Sequence, residues 1–222
     1  PVICERYGVD RRKVHVVRAG VDLSKFRVEN GSSNCSRGTF TVHYSGAFSV
    51  AYDFDQVLLA AKRLENVDGI EFILQGGGEL ASYLKVKMEE LELRNVKIVD
   101  KILSRDDVAK LLNEADVLIL PLRDFGRPYL GISSKLYEYQ AVGKPIICCA
   151  DGQPAEYVRE THSGIVVKPG DYEALAKAIL YLRNNPELGD SGRKYVENNL
   201  SIEKIGKGMI IVFNKALRDH HE

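Results

Sequence analysis

Two serines, a lysine and a glutamate fall within six residues, Ser133, Ser134, Lys135 and Glu138, just behind Gly131. The serines sit where a helix N-cap is favoured. Ile132, Leu136 and Tyr139 recur at helical spacing, and Gly143-Lys144-Pro145 ends the helix before the apolar run 146–150. A helix that opens this way turns unpaired N–H groups and the positive end of its dipole toward the preceding loop, and Gly131 allows close approach there. Lys135 lies in the first turn, where the dipole disfavours a cation, so the pattern points to an anionic visitor such as a diphosphate. Glu138, one turn on, faces the same mouth and can accept two hydrogen bonds from vicinal hydroxyls such as those of a ribose. The same residues also fit a plainer alternative, in which the serines only cap a helix and Lys135 and Glu138 form a surface pair worth roughly 0.2–0.5 kcal/mol.

The surrounding chain alternates apolar strands with amphipathic helices, which predicts an α/β fold with a doubly wound parallel sheet. Strands are expected at 14–17, 39–44, 70–74, 96–99, 117–120, 146–149 and 164–167. Helices are expected at 53–64, 79–91, 105–113, 134–141, 154–160, 172–184, 188–198 and 202–218. In such a sheet ligands bind beyond the carboxyl ends of the strands, where the strand order reverses. Gly46, the triplet Gly76-Gly77-Gly78, Lys101, Ile102 and the stretch 131–134 all fall there. Rim glycines are common in doubly wound domains, so the weight rests on the combination, and the triplet alone reads equally as a tight turn. The polar segment 30–37 reads as a mobile loop.

The chain has 222 residues, 31 basic and 31 acidic, with 45% hydrophobic residues. Zero net charge gives no global electrostatic case for nucleic acid or for an anionic membrane, and no apolar run approaches the roughly 20 residues that span a bilayer. The start, PVICERYG, is not a signal peptide. Cys4, Cys35, Cys148 and Cys149 fit no zinc spacing. The adjacent pair should point to opposite faces of a buried strand, as small core residues in a reducing, cytoplasmic setting. The histidines form no metal-type cluster, and His43 is expected as a half-buried structural residue. A redox Rossmann enzyme would need a Gly-x-Gly-x-x-Gly loop after the first strand, and none follows Tyr44.

SSKLYEYQAVGKPII (133–147) resembles the donor-nucleotide segment of retaining glycosyltransferases of family 4, which have the GT-B architecture. Further segments are similar to the family in the same order: VHVVRAGVDLSKF (14–26), VHYSGAF (42–48), FILQGGGE (72–79), NVKIVDKILSRDDVAKLL (95–112), ADVLILPL (115–122) and HSGIVVKPGDYEALAKAI (162–179). The resemblance implies a Rossmann-like donor domain over 1–222, with 1–26 as the segment connecting two halves and 200–218 as the closing helix. By it, Gly46, Gly131, Ser133, Ser134 and Lys135 hold the diphosphate of a UDP- or GDP-sugar, Glu138 binds the ribose, and the main chain of Lys101 and Ile102 flanks the base. It also implies metal-independent transfer with no cofactor, in which backbone donors and basic side chains stabilise the departing diphosphate.

Two positions depart from that pattern. A second glutamate, eight residues before the ribose-binding one, is replaced by Leu130. The basic residues expected after the first glycine loop are missing from 47–55, so Arg123 or Arg127 becomes the candidate source of the charge, although both also fit as solvated loop arginines. The resemblance implies an amino-terminal acceptor domain, carrying most catalytic residues, that this sequence is expected to lack. The last helix is expected to reach back toward it, leaving Ile205, Met209, Val212 and Phe213 exposed, and any membrane association is expected to come through the missing part. Alternatives are a non-catalytic nucleotide-sugar-binding module and a GT-B sugar-nucleotide epimerase.

Overall fold

A computed structural model describes residues 2–28, 38–129 and 131–219 of the chain. The polar segment 30–37, Cys35, Leu130, His220 and His221 lie outside the described residues.

Six strands form one parallel sheet: β1 (Phe40–Ala47), β2 (Ile70–Gly77), β3 (Val96–Asp100), β4 (Val117–Pro121), β5 (Ile146–Cys149) and β6 (Gly164–Val167), in the order β3-β2-β1-β4-β5-β6. Each strand is joined to the next through a helix, as parallel pairing requires. The helices are α1 (Val2–Tyr7), α2 (Phe54–Arg63), α3 (Ala81–Glu90), α4 (Arg105–Glu114), α5 (Ser134–Ala141), α6 (Gln153–Glu160), α7 (Tyr172–Arg183), α8 (Gly189–Asn199) and α9 (Ile202–Asp219). The fold is therefore the expected α/β arrangement, with its reversal of strand order between β1 and β4.

Side chains of the strands alternate between two apolar layers. Val42, Tyr44, Phe72, Leu74 and Ile119 pack with α2, α3 and α7, whereas Leu118, Leu120, Ile146 and Cys148 pack with α4, α5, α6 and α8. Cys148 and Cys149 fall in opposite layers and both are buried free thiols, as strand alternation dictates. Burial pushes the Cys148 thiol up to about 12, so it stays an inert core group.

Three expectations need correction. Residues 14–17 form no strand, because no neighbouring strand lies beside them to satisfy their main chain. Val16 is instead 82% exposed, and only Val21 makes a sheet-like contact, an isolated parallel bridge to Ser201. His43 is fully buried rather than half-buried, because β1 is a central strand covered on both faces. The glycines at 46, 76 and 77 do not follow their strands but end them.

The amphipathic α9 turns Met209 and Phe213 to solvent as expected, together with Ile210 and Leu217, but Ile205 packs against the body and Val212 is half-buried rather than exposed. Among the described residues no helix is long and apolar enough to cross a membrane.

Candidate functional site

The carboxyl tips of β1 and β2 meet as bare main chain. Gly46 pairs with Gly76, and a Cβ on Gly76 would run into the Gly46 carbonyl, so only glycine lets these tips close up. Above this floor stands α5. Ser133 is its N-cap in an extended conformation, with no side-chain capping hydrogen bond, so the helix mouth is left for an outside acceptor. Gly131 is exposed, with open space where a side chain would stand.

Lys135 reaches from the first turn of α5 across Gly46. Its Nζ lies 6.0 Å from the ring centres of both Tyr44 and Tyr52, and a Cβ on Gly46 would strike the ammonium. Burial lowers the lysine pKa, and the charge of Glu138 works against that shift. Among the described residues Lys135 has no ion pair within 4 Å; its cation is held by aromatic faces over a glycine floor. Tyr44 is itself fixed, its hydroxyl donating to the Ala47 carbonyl at 2.7 Å.

Glu138 lies on the same rim, its side chain 18% exposed. The alternative Lys135–Glu138 surface pair does not form among the described residues. Arg105, at the start of α4, donates from Nη2 to Glu138 Oε1 at 2.7 Å and lies 5.0 Å from the Phe26 ring centre. Arg105 gave no signal in the sequence, where a lone arginine at a helix start reads as solvated.

Beside these groups a cavity of about 270 Å3 opens over the tips of β1 and β2, walled on the far side by Ile102, Leu103 and Val108. Ile102 is 87% exposed, an apolar side chain standing at the rim with nothing covering it. Lys101 is exposed, and its carbonyl accepts a hydrogen bond from Gln75 Nε2 at 2.5 Å. Gln75 is another residue that sequence reading passed over, since a single polar residue at a strand end before three glycines is unremarkable as text.

The two loop arginines take different places. Arg123 is half-buried, its Nη2 donating to the Tyr52 carbonyl at 3.4 Å while its buried Nε has no partner among the described residues. Arg127 is exposed and lines a second cavity of about 350 Å3 with Phe125, Pro128 and Tyr129. Tyr129 is anchored by its hydroxyl, which donates to the Arg123 carbonyl at 2.9 Å.

Gly46, Lys135 and the turn carrying Ile102 thus lie around the tip of β1, one of the two strands at the reversal of order where open α/β sheets bind ligands, with Glu138 one turn along α5 from Lys135. A cation, a main-chain floor, an uncapped helix start, a carboxylate and an apolar slot form a set that fits phosphate, ribose and base in turn.

The fold is shared with known proteins. The chain is 25% identical over 249 residues to D-inositol 3-phosphate glycosyltransferase of Salinispora tropica, an alignment covering 98% of this chain and 49% of that protein. Among solved structures it is similar to Anabaena HepE in complex with UDP, with a TM-score of 0.80, 15% identity, and coverage of 95% of this chain and 60% of that one. It is also similar to the C-terminal domain of a glycosyl transferase group 1 family protein (LpcC) from Francisella tularensis, with a TM-score of 0.66, 14% identity, and coverage of 82% and 100%. The chain spans about half the length of the curated relatives it matches, 43% to 50% of three of them. Residues 29–199 match the family model of glycosyl transferases group 1, and the chain belongs to that family, with the Rossmann-like fold of its GT-B members.

Proposed function

We propose that this chain is the donor-binding half of a retaining family-4 glycosyltransferase, which moves a sugar from a UDP- or GDP-sugar to a saccharide or lipid-linked acceptor. The observation that carries the reading is Lys135, a partly desolvated cation with no carboxylate in contact among the described residues, held over the Gly46 floor beside the uncapped start of α5. A cation so placed is costly unless an anion joins it, and a diphosphate lying across Gly46 meets both the ammonium and the helix N–H groups. Negative charge that builds on the departing diphosphate is then met by groups already in position.

In this reading Glu138 exchanges its contact with Arg105 for the two ribose hydroxyls, and the base enters the slot beside Ile102 and Leu103. Gly131, Ser133 and Ser134 supply the main chain around the phosphates, while Arg123 and Arg127 supply further charge from the loop after β4. The exposed apolar face of α9 is the seat of the amino-terminal acceptor half, consistent with the share of its relatives' length that this chain spans. The reading is also supported by the UDP that the structural neighbour HepE is described as binding.

A thermal-shift screen of the chain against UDP, GDP, ADP and their sugars tests it. A ligand at 100 times its dissociation constant stabilises by about 2.7 kcal/mol. No shift with any nucleotide at millimolar concentration overturns the reading.

A further inference from the structure

Three strand tips are tied side by side by one buried amide. Gln75, 3% exposed, is in register with Ser45 on one side and Val99 on the other. Its Oε1 accepts from the Ser45 hydroxyl at 2.6 Å, and its Nε2 donates to the Lys101 carbonyl at 2.5 Å. Ser45 is in turn met by α5, because the Tyr139 hydroxyl lies 3.5 Å from both its N–H and its carbonyl. A single line of contacts therefore runs from the residue next to Glu138, through Ser45 and Gln75, to the turn that carries Ile102.

That turn needs an outside anchor. It follows β3, an edge strand, and leaves Ile102 in solvent, so its own packing does little to hold it. The Gln75–Ser45 bond is buried and fixes the amide, the bond to the Lys101 carbonyl is part-buried, and breaking either leaves a polar group of the buried amide unpaired. The Gln75 amide thus decides where the wall of the 270 Å3 cavity stands relative to Gly46 and Glu138.

We propose that Gln75 is a positioning residue for the nucleobase: it sets the Lys101–Leu103 turn at the height at which a base fits between that turn and the β1–β2 tips. This deepens the donor-site reading and rests on it. Gln75 lines the same cavity as Gly46 and Gly76, but its side-chain amide is spent on the Ser45 hydroxyl and the Lys101 carbonyl, so its loss acts first on the turn that walls the base slot.

The test compares base-bearing and base-free ligands by calorimetry on the 222-residue chain. With Gln75→Met, binding of UDP, or of GDP if the unmodified chain prefers it, weakens by roughly tenfold. Inorganic pyrophosphate and ribose 5-phosphate bind as they do to the unmodified chain. Ser45→Ala, which removes one of the two bonds to Gln75, gives the same split at about threefold and carries the test if Gln75→Met does not fold. Unchanged nucleotide affinity in both variants, or an equal loss for pyrophosphate and nucleotide, overturns the role of Gln75 alone. An unmodified chain that binds no nucleotide overturns the donor-site reading and this inference with it.

Discussion

Arg105 Nη2 stands 2.7 Å from Glu138 Oε1, so the carboxylate expected to grip a ribose is held, before any ligand arrives, by the neighbouring helix. The guanidinium side chain is 63% exposed, and such a pair contributes about 0–1 kcal/mol, little enough for two hydroxyls to displace it. Arg105→Ala should therefore leave stability within about 0.5 kcal/mol and change UDP affinity by less than roughly threefold. Glu138→Ala should cost about 1–3 kcal/mol of nucleotide binding with the fold intact. Calorimetry with UDP and with 2′-deoxy-UDP tests the contact directly, because with the deoxy ligand most of the gap between Glu138→Ala and the unmodified chain should close. Equal UDP affinity in Glu138→Ala and the unmodified chain would rule out the ribose role.

Lys135 should affect stability and binding in opposite directions. Burial lowers its pKa, so the charge is a burden on the fold, and Lys135→Met should melt at the same temperature or higher. Pyrophosphate and UDP binding should fall by about 1.5–3 kcal/mol with loss of the charged contact. Parallel melting curves and titrations check both signs, and a variant that is less stable yet binds normally contradicts the assignment.

Gly76→Ala should be among the most damaging single-atom-group additions in the chain. The new Cβ meets the Gly46 carbonyl, which is main chain and cannot swing aside. A loss of roughly 3 kcal/mol or more is expected on chemical denaturation, together with loss of ligand binding. Gly131→Ala, where a Cβ meets open space, should change stability by less than about 0.5 kcal/mol.

His43 should make the chain sensitive to mild acid. Burial, helped by the charge of Lys144, lowers its pKa to about 4, and the Leu111 main chain opposes this only in part. Well above pH 6.5 the ring is neutral in both folded and unfolded chains. As pH falls from 6.5 to 4 the unfolded chain takes up a proton that the folded chain refuses, so stability declines across that window by about 3 kcal/mol. His43→Leu should flatten this part of the stability–pH curve, measured by urea titration at about pH 7 and about pH 4.5. An unchanged slope would mean that the proton uptake lies elsewhere.

Much of the architecture was readable because parallel strands buried on both faces appear as short apolar runs between helices. The same rule misled at 14–17. Val-His-Val-Val has the apolar content of a strand, but hydrophobicity cannot show that no partner strand lies alongside, and Val16 stands in solvent. His43 was underestimated because polarity alone suggests partial exposure, whereas the central place of β1 buries whatever sits there. At the site, Lys135 and Glu138 were legible from helix-start chemistry, and the structure brings both to the rim. Arg105 and Gln75 were not, because each acts on a partner 33 and 26 residues away, Glu138 and the Lys101 carbonyl, and only the sheet order makes them neighbours.

The floor under the helix mouth is built from the Gly46 and Gly76 main chain, with no side chain of its own. Substitutions elsewhere cannot redecorate that surface; they can only alter what stands around it. On the proposed donor-site reading, preference for one base or sugar over another would be free to drift through Gln75, Ile102 and the loop after β4, while the seat for the phosphates would stay the same across such changes.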